Sequence, residues 1–301
     1  MVKKHFRELL KESFKSNDTE EWLDIRFTRP VGLAIAIVCG RLGISPNAIT
    51  ITSILIGAVA GWMFHYTDLW HNVCGVLLLM TANFCDSADG QLARLANKRS
   101  LVGRMLDGFA GDVWFFCIYL AIVWRLWDDW QLWGFLFCAV AGFLCHAPQC
   151  ALADYYRNIH LWFLKGDAGS ELDSYAKEQR IYDELKGQGW SAARIFHYFY
   201  KGYCRKQERL TPQFQQFFPA YRSADSGRRL PVSELFIEGS RPLMPMTNIL
   251  TFNTRAIVLY VSALIDIPWL YPLFEIAVLQ PLYWYMRGCH EHLCETLKAK
   301  I

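Results

Sequence analysis

Apolar positions along the chain gather into long runs separated by short polar links, a pattern that predicts membrane-crossing helices. A bilayer-spanning helix needs about 20 mostly apolar residues. Six runs meet that requirement, at 46–66, 71–94, 102–124, 132–154, 249–267 and 269–287. Trp62, Trp70, Trp114, Trp124, Trp133, Trp269 and Trp284 mark many of their ends, where amphipathic rings sit at headgroup level. The expected fold is therefore an all-α polytopic membrane bundle of six transmembrane helices. Two further pieces do not span. Residues 5–16 place Phe6, Leu9, Leu10 and Phe14 on one helical face opposite Lys and Arg, which suits an N-terminal interfacial helix or a plain solvated one. Residues 158–247 form a polar insert between the fourth and fifth spans, punctuated by Gly187, Gly189, Pro212, Pro219 and Pro231. Within it, 190–209 alternates Trp190, Phe196, Phe199, Tyr200 and Tyr203 with Arg194, Lys201, Arg205 and Lys206. That segment reads as a cover for the membrane surface or the active site, or as a small packed subdomain. The resulting division is an arm at 1–30, a core at 31–157, the insert at 158–247, and the last two spans with a tail at 248–301.

Charge orients the bundle. Lys3, Lys4, Arg7, Lys11, Lys15, Arg26, Arg29 and Arg41 load the N-terminal arm, and Arg94, Lys98, Arg99 and Arg104 surround the link after the second span. The insert and the C-terminal tail are basic as well. The links at Tyr66–His71 and Asp266–Trp269 carry no Lys or Arg, and Arg125 stands alone beside Asp128 and Asp129. Every second connection is thus basic, which predicts both termini and the 86–112 segment on the cytoplasmic side.

Composition changes this picture little. The chain is 53% hydrophobic and 15% aromatic, only somewhat above the globular norm. A net charge of +3 without a basic block argues against nucleic acid as a partner. The ten cysteines are scattered, mostly through apolar runs, and read as reduced buried thiols. The charged first thirty residues do not form a secretory signal.

Chemistry concentrates where the second apolar run breaks off into Asp86-Ser-Ala-Asp89-Gly90-Gln-Leu-Ala93-Arg94, and where the third opens with Gly103-Arg-Met-Leu-Asp107-Gly-Phe-Ala-Gly111-Asp112. Neither apolar half is long enough to span alone, so the acidic segments must complete the spans. A carboxylate at membrane depth costs up to about 2.5–3.5 kcal/mol, and neighbouring ones repel. Divalent cations relieve both penalties. Asp86 and Asp89 share a face as an i, i+3 pair, and an all-oxygen ligand set suits Mg²⁺ or Mn²⁺ bound together with substrate phosphates. Two such ions clamp the attacking and leaving oxygens of an in-line displacement.

The run Asp86-x2-Asp89-Gly90-x2-Ala93-Arg94-x8-Gly103-x3-Asp107 resembles the signature of the CDP-alcohol phosphatidyltransferases, residue by residue, and the likeness covers about 30–157 and 249–287. The resemblance implies six helices and two divalent ions held by Asp86, Asp89, Asp107 and Asp112. It also implies that Asp112 takes the acceptor's proton, and that Gly90, Ala93, Arg94 and Gly103 line a cytidine-nucleotide site. There is one departure: the family's last aspartate falls at Gly111, and Asp112 follows one place late. On an ideal helix Asp112 points about 140° away from Asp107, so the role passes to Asp112 through an expected π-bulge.

Weaker candidates surround this core. Asn47 and Thr50 open the first span in a stretch similar to the family's first motif, where Ser45 and Pro46 equally read as an ordinary cap and first helical residue. Arg157 and Arg255 are candidates for holding an anionic acceptor, against structural snorkelling. Cys289-His290-Glu291-His292-Leu293-Cys294 suggests metal binding but has no second ligand pair. The favoured function is transfer of a phosphatidyl group from CDP-diacylglycerol to a small polar alcohol such as inositol phosphate, releasing CMP. The alternatives are a CDP-headgroup donor acting on diacylglycerol or ceramide, an ion or metal transporter, or a non-catalytic scaffold. The transporter reading fits poorly, because the aspartates cluster at one end of two adjacent helices and no halves repeat. Expected partners are the CDP-linked donor, the alcohol and the lipid bilayer, with a homodimer as the assembly to test for.

Overall fold

The computed structural model describes residue 6 and residues 8–11, 13, 14, 16, 18–97, 100–187, 189 and 191–301. Lys3, Lys4, Arg7, Lys15, Lys98, Arg99 and Trp190 lie outside the described residues. Helices joined by short links make up the described residues, among which there are no strands. In chain order the helices are α1 (Arg29–Arg41), α2 (Pro46–Met63), α3 (Leu69–Leu95) and α4 (Leu101–Arg125). Then come α5 (Trp127–Lys165), α6 (Tyr175–Lys186), α7 (Ala192–Leu210), α8 (Pro212–Ser223) and α9 (Ser226–Ser240). The last are α10 (Met244–Ile249), α11 (Phe252–Leu264), α12 (Leu270–Phe274) and α13 (Gln280–Lys298).

Among the described residues, three helices are both long and apolar enough to cross a membrane: α2, α4 and α5. The other expected spans fall short for separate reasons. Helix α3 has 27 residues, about 40 Å at 1.5 Å each, but Asp86, Asp89 and Arg94 lie toward its C-terminal end. Helix α11 has only 13 residues, and α12 reaches α13 through a π-turn at Glu275–Leu279. Of the expected interfacial helix at 5–16, the described residues 6 and 8–11 are helical, and Ser13 turns, its Oγ donating to Leu10 O at 2.7 Å.

The chain divides into two compact units, the first made of Met1–Leu144 with Asn253–Ile276, the second of Cys145–Phe252 with Ala277–Ile301. These cut the chain elsewhere than the hydropathy boundaries at 157/158 and 247/248. The polar helices of the insert pack with the apolar helices that flank them, so a hydropathy change is not a packing boundary.

In the first unit, small residues set how closely helices approach. Ser53, Gly57 and Gly61 form one strip on α2 facing α4. A Cβ on Gly57 would fall 2.2 Å from the Trp114 ring, and one on Gly61 2.8 Å from Cys117 Cβ. Trp114 Nε1 donates to Ser53 O at 3.1 Å in the same seam. Helix α1 repeats the device against α3 with Gly32, Ala36 and Gly40, where a Cβ on Gly32 would meet Ser87 Oγ at 2.8 Å and one on Gly40 would meet Leu92 Cδ1 at 3.1 Å. Such spacing permits backbones to pack without a hydrophobic drive between helices. The expected readings did not include α1, although its small-residue spacing is visible in the sequence. Ala36, Ile49, Ala88 and Leu92 close a buried cluster where α1, α2 and α3 meet.

At one end of this unit, Arg125 gathers three connections. Its Nη1 donates to Phe64 O at 3.1 Å and Asn72 Oδ1 at 3.0 Å, and its Nη2 meets Asp266 Oδ1 at 2.6 Å. The links after α2, after α4 and after α11 therefore lie together, as the alternation of basic and non-basic links predicts.

The second unit is held by an aromatic core. Phe163 stacks on Phe236 at 4.0 Å and on Phe217 at 6.0 Å, and Tyr155 meets Phe214 edge-on. Gln213 N donates to Glu291 Oε2 at 2.7 Å and Arg287 Nε to Leu210 O at 2.7 Å. Of the alternatives for the insert, packing as helices against α5 and α13 is what the second unit displays.

Candidate active site

The site lies at the end of the first unit opposite Arg125, where α3 finishes and α2 and α4 begin. Local capping sets those starts. Ser45 accepts from Ala48 N at 3.3 Å with Pro46 at the first helical position, and Ser100 Oγ accepts from Gly103 N at 2.9 Å. Side-chain oxygens thus satisfy otherwise orphaned amides.

On this frame Asp86, Asp89 and Asp107 converge, offering carboxylate oxygens that all lie within 4.8 Å of one another. Asp86 is half-buried, Asp107 is exposed, and Asp89 is only 4% exposed. The Asp86 and Asp107 carboxylates approach to hydrogen-bonding distance. Thr50 lies beside Asp89 while its hydroxyl donates to Pro46 O at 3.1 Å, and Asp89 Oδ2 is buried with no hydrogen-bond partner. Three acid groups so close, one with an orphaned buried oxygen, form an acceptor-only pocket. Hard divalent cations bind such oxygen sets, so the residues fit the expected metal.

The remaining expected residues fall unevenly. Arg94 lies near Asp89 and folds back over its own helix, so that a Cβ on Gly90 would meet its Nη1 at 3.4 Å. Gly103 keeps space for Asn47, whose Oδ1 would be 3.0 Å from an added Cβ. Ala93 sits half-buried on the same stretch of α3. Asn47 and Thr50 therefore belong to this corner, while Ser45 and Pro46 also play the capping role.

Asp112 differs. Helix α4 runs as unbroken α-helix from Leu101 to Arg125, without the expected π-bulge. Asp112 is exposed and is not among the three converging carboxylates. An i+5 residue on a regular helix turns away, and no backbone defect returns it. Arg255 is fully buried and paired with Glu275, which also accepts from Tyr271 Oη at 2.6 Å. That guanidinium is committed inside the unit instead of being open to an acceptor, since a buried cation needs a buried counter-charge. Arg157, in the second unit, is half-buried and makes no hydrogen bond or ion pair among the described residues. At the C-terminal motif, His290 is buried and stacked on Tyr156 at 3.7 Å, while His292 is exposed. No metal-ligand cluster forms there among the described residues.

One participant escaped the sequence reading. Arg29 is near enough to Asp86 to offset its charge, and it is held by Glu20 through two contacts at 3.0 and 3.1 Å. Its backbone oxygen accepts from Gln91 Nε2 at 3.0 Å. Only the spacing of Gly32, Ala36 and Gly40, which brings α1 onto α3, could have pointed to it.

Comparison with known proteins agrees with this geometry. No curated protein matches the chain significantly. The family model for CDP-alcohol phosphatidyltransferase matches residues 43–160. That stretch contains Asn47, Thr50 and all the converging aspartates, and members of the family are transferases that move substituted phosphate groups. Residues 43–160 are thus similar to a CDP-alcohol phosphatidyltransferase domain.

Proposed function

We propose that this protein transfers a phosphatidyl group from CDP-diacylglycerol to a small polar alcohol, inositol phosphate being the favoured acceptor, with release of CMP. The observation that carries the reading is the convergence of Asp86, Asp89 and Asp107, with the buried Asp89 Oδ2 lacking a partner, inside the matched domain. The six-span arrangement, with both termini and the site on the cytoplasmic side, follows the charge alternation and is part of the same proposal.

Asp86, Asp89 and Asp107 would hold Mg²⁺ or Mn²⁺, and the family generally depends on divalent metal. When bound, the ions supply charge neutralisation at the diphosphate and polarise the phosphorus under attack. Thr50, beside Asp89, adds a polar wall to the carboxylate pocket. Gly90, Ala93 and Gly103 leave room for the nucleotide, and Arg94 offsets charge on the departing CMP. The acceptor oxygen forms the new bond to phosphorus while the bond from phosphorus to the CMP oxygen breaks. Asp112 is proposed to take the hydroxyl proton and complete the ligand set, which requires the backbone between Asp107 and Asp112 to take up the π form when substrate and metal are present. Arg157 is the proposed contact for an anionic acceptor.

The deciding assay supplies the reconstituted full-length protein with labelled CDP-diacylglycerol and a panel of alcohols. Metal-dependent CMP release with the label retained in a new phospholipid is expected. CMP release only from a CDP-headgroup, with diacylglycerol or ceramide as acceptor, would reverse the direction. Absence of metal-dependent CMP release from every donor would sink the enzymatic reading.

A further inference from the structure

Helix α7 is built with its polarity reversed. The face turned into the second unit carries His197, whose Nδ1 lies 2.7 Å from Glu178 Oε2, together with Gln207, whose Nε2 donates to Ala151 O at 3.0 Å. The outward face carries Ile195, Tyr198 and Phe199, which are 47%, 54% and 68% exposed. These recur at helical spacing on one stripe, which continues toward the C-terminus into exposed Arg205 and Arg209, with Lys206 half-buried beside them. Lys201 adds its ammonium 3.7 Å from the Tyr182 ring centroid and 5.4 Å from that of Tyr198. Against Arg194, Lys201, Arg205, Lys206 and Arg209, the helix has a single acid, Glu208, whose Oε1 already accepts from Tyr175 N.

Two observations say what covers this face. The first is its chemistry: aromatic and aliphatic groups beside cations match the boundary between acyl chains and anionic headgroups. The second is its level in the fold. Helix α5, with a kink at Gln131 and a π-helical stretch at Val140–His146, has 39 residues, well beyond the about 20 that a span needs. Its expected apolar span closes at 154, and α7 is pinned at that point, by Gln207 to Ala151 O and by Tyr203 Oη to Asp154 Oδ2 at 3.2 Å. An apolar stripe tethered where a spanning helix leaves the bilayer has lipid within reach.

We propose that the outward face of α7 beds into an anionic lipid surface, laying the insert against the membrane. The inference rests on the membrane placement of α5 and not on the phosphotransfer reading. The test places a photoreactive benzoylphenylalanine at position 199 in the full-length protein, held in nanodiscs of phosphatidylcholine with or without phosphatidylglycerol. Position 143 on the expected span of α5 serves as the positive control, and exposed position 184 on α6 as the negative one. Lipid adducts are expected at 143 and 199 but not at 184, several-fold stronger at 199 with the anionic lipid. The Arg205→Gln/Lys206→Gln/Arg209→Gln variant is expected to lose that preference, giving equal adduct yields with and without the anionic lipid. Adducts at 143 without any at 199, or protein–protein crosslinks at 199, overturn the proposal. Absence at 143 as well overturns the membrane placement beneath it.

Discussion

At the scale of single residues, Asp89 bears most of the proposed chemistry, because it is the buried member of the aspartate set and one of its oxygens has no partner. Asp89→Asn keeps the shape and removes the charge, so metal-dependent CMP release is expected to fall by about 10²–10³-fold, the scale seen when one electrostatic contact to the transition state is lost. Steady-state rates against Mn²⁺ concentration check this; normal turnover at every metal concentration would refute the assignment. Gly111 offers the complementary experiment. Nothing lies within 4 Å of a Cβ there, so Gly111→Asp fits without strain and adds a carboxylate one turn from Asp107, on its face. Tighter Mn²⁺ binding, read by the metal's own paramagnetic resonance, is the expected outcome. In the second unit, burial holds His290 neutral, its pKa pushed down to about 3 from 6.5. A depressed histidine weakens the fold as pH falls: below 6.5 the unfolded chain takes a proton that the folded one refuses, until pH reaches about 3. Melting temperature should decline across that window, and His290→Phe, which retains the stack on Tyr156, should flatten the decline.

At the scale of elements, the small-residue seams decide whether the site assembles. A side chain at Gly57 has to enter the Trp114 ring, so Gly57→Leu is expected to cost at least the overpacking penalty of about 1–3 kcal/mol and to reduce activity through Thr50 on the same helix. Gly288→Ala is the control, since a Cβ there meets nothing within 4 Å; it should be neutral or gain about 0.5–1 kcal/mol of helix propensity. Thermal unfolding in detergent compares the two. The elements were legible to different degrees. Helices α2, α3 and α4 lie within a few residues of their predicted runs, because an apolar stretch opened by Ser-Pro, Asp or Ser carries both its length and its N-terminal cap in local sequence. Helix α1 was not legible by hydropathy, since its message is spacing of small residues read only against a partner helix. The short α11 shows the converse: its apolar run continues past Leu264, but the backbone turns at Asp266, whose φ is +58°, beside the guanidinium of Arg125.

At the scale of the whole molecule, the insert is part of a packed unit and not an excisable lid. Phe214, Phe217 and Phe236 from the insert bury Tyr155 and Phe163 on α5. Deleting 165–245 therefore exposes aromatic surface on α5, and the expected result is an aggregation-prone protein, visible in size-exclusion profiles. A monodisperse product with wild-type turnover would instead mark the insert as dispensable. The sequence by itself determined the helical class, the alternation of the links and the motif from Asp86 to Asp107, because each is written in local spacing and residue type. It also placed Asn47 and Thr50 at the head of α2. Tertiary structure alone decided which acids meet, because convergence depends on how α3 and α4 are rotated and on an unbroken helix through Asp112. It likewise decided that Arg255 is spent on Glu275, that Arg29 stands by Asp86, and that α7 turns its aromatic face outward. Each depends on a partner far away in the chain, and a local pattern has no term for that.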